Sequence, residues 1–374
     1  MKPLYEQIYK SLKEDIITAK YQVGDQIPSE KELSKYFDVS IITIKKALEK
    51  LTDEGLVSRT RGKGTFVSNH TSGNTMPRNN GNKKTPLIGL IVTDFDDSFG
   101  NRLIGGLEDA AQDKCHIILK RSLSKPERED KAIRELLDYG VDGLIISPAN
   151  AEHYSREILK MIVDQFPLVL IDRAYKSLAV TSISTDNEKA AKEGINYLMN
   201  LGHESIGVLI PKDNTTTAIE DRIKGVVEAI VEKKMVVNRE LWCTDIKSPY
   251  PTHVEEMQTD IETIKAHLQQ HPQITALFAL EYNIALLAKQ AAEQLNLQVP
   301  DDLSIVSFDS PPRNIIEWNF THLQQQEEEI GQQALNRLLE MYQGDFGIND
   351  IRIPAKMVEG STTKQWMVEY VKGE

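Results

Sequence analysis

From residue 87 onward, short apolar runs alternate with longer amphipathic segments, and this alternation constrains the fold more than any other feature. LIGLIVT leads into an amphipathic stretch at 101–114, HIILKR into 126–139 and GLIIS into 153–165, and LVLID closes the cycle. A second cycle shows helical periodicity at 186–201, 217–234, 254–270 and 283–295, set around the runs SIGVLI, TALFAL and LSIVSF. Strands covered on both faces read as continuous apolar runs, and parallel neighbours need a crossover that a helix supplies. The pattern therefore predicts an α/β body of parallel sheets covered by helices. About ten strands are expected, a number that divides more naturally into two lobes than into one sheet.

The first 86 residues are built differently. The chain carries 44 Lys/Arg and 56 Asp/Glu, a net charge of −12, but residues 1–86 hold 15 basic and 10 acidic side chains, or +5, leaving −17 for the rest. A mildly basic head on an acidic body confines any contact with a polyanion to the head. Between them, NHTSGNTMPRNNGNKKTP at 69–86 has almost no apolar residue and is rich in Asn, Gly and Thr. The expected division is a head at 1–68, a linker at 69–86 and a body at 87–374. No run of 18 apolar residues is present to span a bilayer, and charges interrupt every apolar cluster of MKPLYEQIYKSLKEDI. With only Cys115 and Cys243, a disulfide framework or thiolate zinc site is excluded, and a cytoplasmic protein is expected.

Within the head, Leu4, Ile8, Leu12 and Ile16 form one stripe of a first helix over 4–19. Ser29 and Glu32 have capping-box spacing before a short second helix that stops near Asp38. Ser40 caps a third helix with Ile44, Leu48 and Leu51 inward, and Gly55 ends it. LVSRT and TFVS around a glycine turn predict a hairpin wing. Two helices joined by Asp38-Val39 make a helix-turn-helix whose third helix would enter the major groove, with Thr43, Lys45 and Lys46 outward and Lys63 at the wing tip.

The stretch GDQIPSEKELSKYFDVSIITIKKALEKLTDEGLVSRTRGKGTFV resembles the winged helix-turn-helix of GntR-type bacterial transcription regulators over roughly residues 3–68. That resemblance implies DNA-contacting roles, at the backbone or wing, for Ser29, Glu30, Ser40, Thr43, Lys45, Lys46, Lys63 and Gly64. One departure is Ile41, directly after the Val-Ser pair, where the family usually has an Arg that contacts DNA. It puts the usual operator preference in doubt, because Arg to guanine is the commonest specific contact.

In open α/β sheets, ligands bind beyond the carboxyl ends of the strands. Those ends carry Asp94 to Phe99, Ser147 and Asn150, Asp172-Arg173, Glu281-Tyr282 and Asp309, with Arg222 early in a later helix. Carboxylates and Arg hydrogen-bond vicinal hydroxyls and an aromatic face packs on the C–H side of a ring, so the set suits a neutral polyol. The stretches GVDGLIISP, PLVLIDR, DRIKGVVEAI and VPDDLSIVSFD, with others over 87 to about 345, resemble the sensor domain of LacI-type regulators, two lobes like a periplasmic sugar-binding protein. The resemblance implies that Phe99 packs on the sugar ring and that Asp172 and Arg173 line the cleft from the first lobe. It places Asp186, Arg222 and Asp309 in the second lobe and Gln325 where the chain crosses back. Asp97-Ser98-Phe99 replaces the family's usual Asn-Pro-Phe, and Glu281-Tyr282 its Asn-Asp. Asp97 and Glu281 add negative charge that disfavours a phosphorylated sugar.

Metal and nucleotide chemistry lack their supports, since HExxH, CxxC, P-loop and strand-borne GxGxxG motifs are absent from the sequence. HESIG at 203–207 has His203 where a nucleophile elbow needs glycine. The eight histidines lack metal-ligand spacing. An aminotransferase-like body would follow another strand pattern. The expectation is a DNA-binding regulator, not an enzyme, that needs no cofactor or metal. It is a homodimer on operator DNA responding to a monosaccharide, an arrangement similar to arabinose repressors. A nucleobase or small acid stays open as the effector, as does an architectural protein whose sensor has lost its ligand.

Overall fold

The computed structural model describes residues 4–17, 20, 21, 24–53, 56–60, 64–67, 85–152, 154–176, 178–212, 216–247, 254–311 and 319–366. Two compact units result, Met1–Lys84 with Arg134–Val141, and Thr85–Ile133 with Asp142–Glu374. The expected linker at 69–86, apart from its last two residues, and the wing-tip Lys63 lie outside the described residues.

The head runs α1 (Leu4–Ile17), β1 (Gln26–Ile27), α2 (Glu30–Phe37), α3 (Ile41–Asp53), β2 (Val57–Thr60) and β3 (Gly64–Val67). Ile8, Leu12 and Ile16 of α1 pack with Leu33 of α2 and Ile44, Ala47, Leu48 and Leu51 of α3 in one buried cluster. Leu4 departs from the expected stripe and is 60% exposed. The Ser29–Glu32 capping box is formed in both directions, and α2 ends at Asp38 in the left-handed region, φ 53°. The hairpin β2–β3 is antiparallel, and β1, absent from the sequence reading, adds to it as a third strand.

The first lobe of the body is a six-stranded sheet. In chain order it takes β4 (Leu87–Val92), α4 (Asn101–Ala111), β5 (His116–Arg121), α5 (Pro126–Tyr139), β6 (Gly143–Ile146), α6 (Arg156–Val163), β7 (Leu168–Ile171) and β8 (Ser182–Thr185). The second lobe takes α7 (Asn187–Asn200), β9 (Ile206–Pro211), α8 (Thr217–Glu232), β10 (Trp242–Ile246), α9 (Val254–Gln270), β11 (Ala276–Ala279), α10 (Tyr282–Gln294), β12 (Ser304–Phe308) and β13 (Thr321–Gln324). The chain then returns as α11 (Glu327–Tyr342) and β14 (Asp350–Ile353) and crosses once more to β15 (Lys356–Val358). Strand orders are β14-β8-β7-β6-β4-β5 and β10-β9-β11-β12-β13-β15, every pair parallel except β13–β15.

The same order thus occurs twice, with a switch point between β4 and β6 and another between β9 and β11, where crevices open at the strand carboxyl ends. Twelve body strands are described against the ten or so expected; the seven quoted apolar runs are β4, β5, β6, β7, β9, β11 and β12, and the strands without a quoted run are β8, β10, β13, β14 and β15. The returning helix α11 belongs to the first lobe: its Ile330, Ala334, Leu335 and Leu338 join Leu103 and Leu107 of α4 over Val169 and Ile171. The helices approach closely enough that a Cβ at Gly106 would stand 2.3 Å from the Glu328 carbonyl oxygen. Separate cores cover the two faces of the second sheet, one under α9 and α10 and one under α7 and α8.

Candidate functional site

In the head, exposed and half-buried polar groups cluster at two helix starts. The Ser29 hydroxyl and backbone N–H both donate to Glu32 Oε2, at 2.7 and 2.8 Å. Ser40 accepts from the Thr43 N–H at 3.2 Å, and the two hydroxyls lie 2.8 Å apart. Glu30 faces Lys45 at 3.9 Å, and Lys46 sits 5.9 Å from the Tyr5 ring centroid. Gly64, at φ 123°, opens β3, the returning strand of the wing.

In the body, one cavity of about 110 Å³ lies between the lobes. Where one water fills about 10–15 Å³, it admits a molecule of roughly ten heavy atoms. The first lobe lines it with the loop after β4, including Asp94, Phe95, Asp96, Ser98 and Phe99, and with Asp172 and Arg173 after β7. The second lobe brings Thr216, Ala218, Ile219 and Arg222 from the start of α8, Glu281, Tyr282 and Asn283 after β11, and Asp309 after β12. Gln325 lines it from the crossing segment.

Arg222 organises the second-lobe wall. Its Nε donates to Asn187 Oδ1 at 2.8 Å, one terminal nitrogen donates to the Leu280 carbonyl at 2.6 Å, and the guanidinium lies 3.7 Å from the Phe308 ring centroid. Burial lowers its pKa, while Asp309, Glu281 and Asp172 work to keep the charge. Burial likewise pushes Asp309 up to about 7, with Glu327 adding to the rise and Arg222 and Gln325 opposing it. Glu281 is also pushed up to about 7 by burial, against Arg222 and Arg173. The wall thus sets a guanidinium beside two carboxyls whose protonated forms burial favours, and protonated carboxyls both donate to and accept from hydroxyl groups.

The first-lobe wall is set by backbone turns. Asp96 Oδ1 accepts from the Ser98 N–H at 2.7 Å and the Phe99 N–H at 3.2 Å, folding the loop into a tight Asx turn. Gly100, at φ 98°, lets Phe95 approach, since a Cβ there would meet the Phe95 Cβ at 2.5 Å. Its N–H donates to Glu327 Oε2 at 2.6 Å, and Arg102 donates to Glu327 Oε1 at 2.6 and 2.9 Å. Asp172 and Asp309, after topologically equivalent strands, are both left-handed, at φ 63° and 60°. Asp is one of the few residues other than glycine that adopts this conformation readily.

Three segments join the lobes, β8 to α7, β13 to α11 and β14 to β15. Gln325 bridges at the second: its Nε2 donates to Asp309 Oδ2 at 2.7 Å while its Oε1 accepts from Thr185 Oγ1 at 2.6 Å. Across the rim, the Ala174 N–H donates to Thr217 Oγ1 at 3.0 Å and Lys176 donates to Glu220 at 2.7 Å.

Of the residues singled out in sequence, Phe99, Asp172, Arg173, Arg222, Glu281, Tyr282, Asp309 and Gln325 come together around the cavity. Asp97 does not line it: the side chain is exposed and accepts from Asn101 Nδ2 at 3.0 Å. Ser147 stands behind Asp172, to which its hydroxyl donates at 3.5 Å. Asp186 caps α7, accepting from the Lys189 N–H at 3.2 Å, and it is the next residue, Asn187, that holds Arg222. The sequence reading did not single out Asn187 or Thr216. Thr216 caps α8, and an N-cap search of the polar run before that helix would have found it. Among the described residues no group of three His, Cys, Asp or Glu is placed to hold a metal ion, and no helix is long and apolar enough to cross a membrane.

A three-helix head with a β-wing and a two-lobed α/β body with a cleft define the class, a one-chain regulator in which a helix-turn-helix accompanies a sensor. Residues 4–67 match the family described as bacterial regulatory proteins, gntR family, and residues 195–363 match the periplasmic binding protein-like domain. The chain thus joins a GntR-type helix-turn-helix region to a periplasmic-binding-protein-like domain. It is 26% identical over 372 residues to an arabinose metabolism transcriptional repressor of Geobacillus stearothermophilus, covering 97% of this chain and 98% of that one. It is also 26% identical to a ribose operon repressor of Halalkalibacterium halodurans, over 89% of this chain and 96% of the other. Among solved structures, a LacI family regulator from Enterococcus faecium with bound ribose aligns with TM-score 0.64 at 22% identity, over 75% of this chain and all of that one.

Proposed function

We propose that the protein is a sequence-specific repressor of carbohydrate-utilisation genes, with operator DNA bound by the head and a small neutral monosaccharide bound in the cleft. The observation that carries the effector class is the wall built on Arg222. There the guanidinium stands in the field of the carboxyls of Asp309, Glu281 and Asp172, and Phe95, Phe99 and Tyr282 line the same cavity. Alternating acceptors and donors beside aromatic faces match a ring bearing hydroxyls on its edge and C–H groups on its faces. Acidic groups outnumber guanidiniums in the lining, which disfavours a phosphate or acid. The names of the relatives, arabinose and ribose repressors, point the same way.

The chain acts in the cytoplasm as a homodimer, because two heads are needed to read two half-sites. A ligand touching both walls favours one setting of the lobes over others, and that differential affinity is the whole of what it transmits. Gln325, which touches both lobes, is the natural point for that difference to register. Binding and release of DNA make and break no covalent bond, and no catalytic step is assigned.

A thermal-shift screen of the full chain against pentoses, hexoses, sugar phosphates, sugar acids and nucleobases tests the reading. A ligand at about 100 times its dissociation constant stabilises by about 2.7 kcal/mol, a shift of several degrees. One neutral sugar is expected to respond and to change operator binding. A response confined to nucleobases or phosphates would overturn the sugar assignment.

A further inference from the structure

We infer that the first turn of α3 reads thymine methyl groups in the major groove, through Ile41 and Ile42. The inference rests on the reading of the head as a DNA-binding domain. Ile42 is 72% exposed and Ile41 44% exposed, while Ile44, Ala47, Leu48 and Leu51 of the same helix are buried. Helical spacing places Ile42 on one outward face with Lys45, Lys46 and Glu49, all exposed. The two isoleucines are thus an adjacent exposed apolar pair at the tip of a helix whose next outward positions are lysines.

Two polar side chains of that turn are bonded to each other. Ser40 caps the Thr43 N–H, and the Ser40 and Thr43 hydroxyls meet each other at 2.8 Å. Beside the one hydroxyl proton that pair leaves free, the turn offers a partner two β-branched side chains, stiff at χ1, that lose little rotamer freedom on contact. The lysines beside them seek phosphates and oppose a second copy of the same face, so charge selects DNA as the occupant. In the major groove only thymine presents an apolar group, its C5 methyl. Against guanine or cytosine the same side chains would strip water from a donor or acceptor and return no hydrogen bond. The pair thus selects for thymine and against the G·C edges that an Arg at this turn would read.

The test uses the full chain. Duplexes are selected from a random library, and affinity for the winning site is then measured by fluorescence anisotropy at fixed salt, with each thymine replaced in turn by deoxyuridine. That exchange removes one methyl and keeps every hydrogen-bonding group. One or two positions in each half-site are expected to lose about fourfold per methyl removed. Ile42→Ala, and independently Ile41→Ala, should bind the thymine and uracil versions more nearly alike. Lys45→Ala should weaken both versions equally. Equal affinity of the unaltered protein for both bases at every position overturns the inference and leaves DNA binding standing, whereas a library that yields no enriched sequence overturns the DNA-binding reading itself. Loss of self-association in Ile42→Ala, with no thymine preference in the unaltered protein, would assign the face to a second copy and overturn the inference as well.

Discussion

The working surface of the head and the wall of the cleft use charge in opposite ways. Lys45 keeps 52% of its side chain in water and meets Glu30 only at 3.9 Å, so solvent screens it and its removal disturbs little. Arg222 is 5% exposed and fixed by a side-chain oxygen, a carbonyl and an aromatic face. The first arrangement suits a partner that is a line of phosphates, where many weak, additive contacts suffice. The second suits a small ligand that must be distinguished from its neighbours, where each group is desolvated and held in one geometry. The stability of the protein should therefore depend on the cleft residues and hardly at all on those of the head surface.

The sharpest test is Arg222→Ala. Removing the guanidinium leaves Asn187 and the Leu280 carbonyl without their donor and withdraws the cation that opposes the raised pKa of Asp309 and Glu281. Losing one partner of a buried charged cluster costs about 3–5 kcal/mol. Urea denaturation should show a loss of that size, and calorimetry should find the effector affinity down by at least about a hundredfold, taking two to three lost hydrogen bonds to charge. An unchanged sugar affinity would remove Arg222 from the site.

A second test exploits pH. Asp309 and Glu281 are raised to about 7 in the folded chain against about 4 when unfolded. Between those values the folded state holds protons that the unfolded state has released. The contribution of these carboxyls is thus fully present in acid, falls as pH rises through the window, and is lost above 7. Asp309→Asn and Glu281→Gln imitate the protonated forms. Their melting temperatures relative to the unaltered protein should climb from pH 5 to pH 8, by about 2–4 °C for each kcal/mol recovered. A difference that stays flat with pH would show that neither group titrates in this range.

How much of this was legible in the sequence follows from where each group's partners lie. Ser29 and Glu32 are three residues apart and form the capping box their spacing announces, and α5 begins and ends at the expected residues 126 and 139. Strand ends also announced the cleft, because Asp172, Glu281 and Asp309 each follow a buried apolar run. The reading failed where a run is polar or partners are distant. Ser182–Thr185 and Asp350–Ile353 pair with each other near one edge and lack the continuous apolar signature. The contact of Asn187 with Arg222 spans 35 positions, and spacing says nothing about it. Within the loop after β4 the sequence offered three aspartates, and only the Asx turn at Asp96 decides that Asp97 faces outward.

Gln325→Ala should have an intermediate effect. It withdraws a donor from Asp309 and an acceptor from Thr185, both buried, at a cost of about 1–3 kcal/mol. Since Gln325 links the lobes, the change in effector affinity should exceed that from a first-lobe variant such as Ser147→Ala, whose hydroxyl reaches Asp172 only at 3.5 Å. Equal effects of the two substitutions on calorimetric affinity would deny the crossing segment any special part.

The smallest expected change in stability, and the cleanest contrast with Arg222, belongs to Lys45→Ala. Ala is the best helix former, the Glu30 pair is long and exposed, and the side chain covers none of the buried cluster of the head. Denaturation midpoints should therefore move by no more than about 0.5 kcal/mol. Operator binding should nevertheless weaken on every sequence alike. A lysine that neutralises a phosphate releases condensed counterions, so the slope of log affinity against log salt should flatten by about 0.9 for each phosphate left unneutralised, twice over in a dimer. A lower affinity at unchanged slope would mean that Lys45 meets a base edge and not a phosphate. A drop in stability comparable to that of Arg222→Ala would erase the contrast between the two surfaces, because it would show that the charges of the head also hold up the fold.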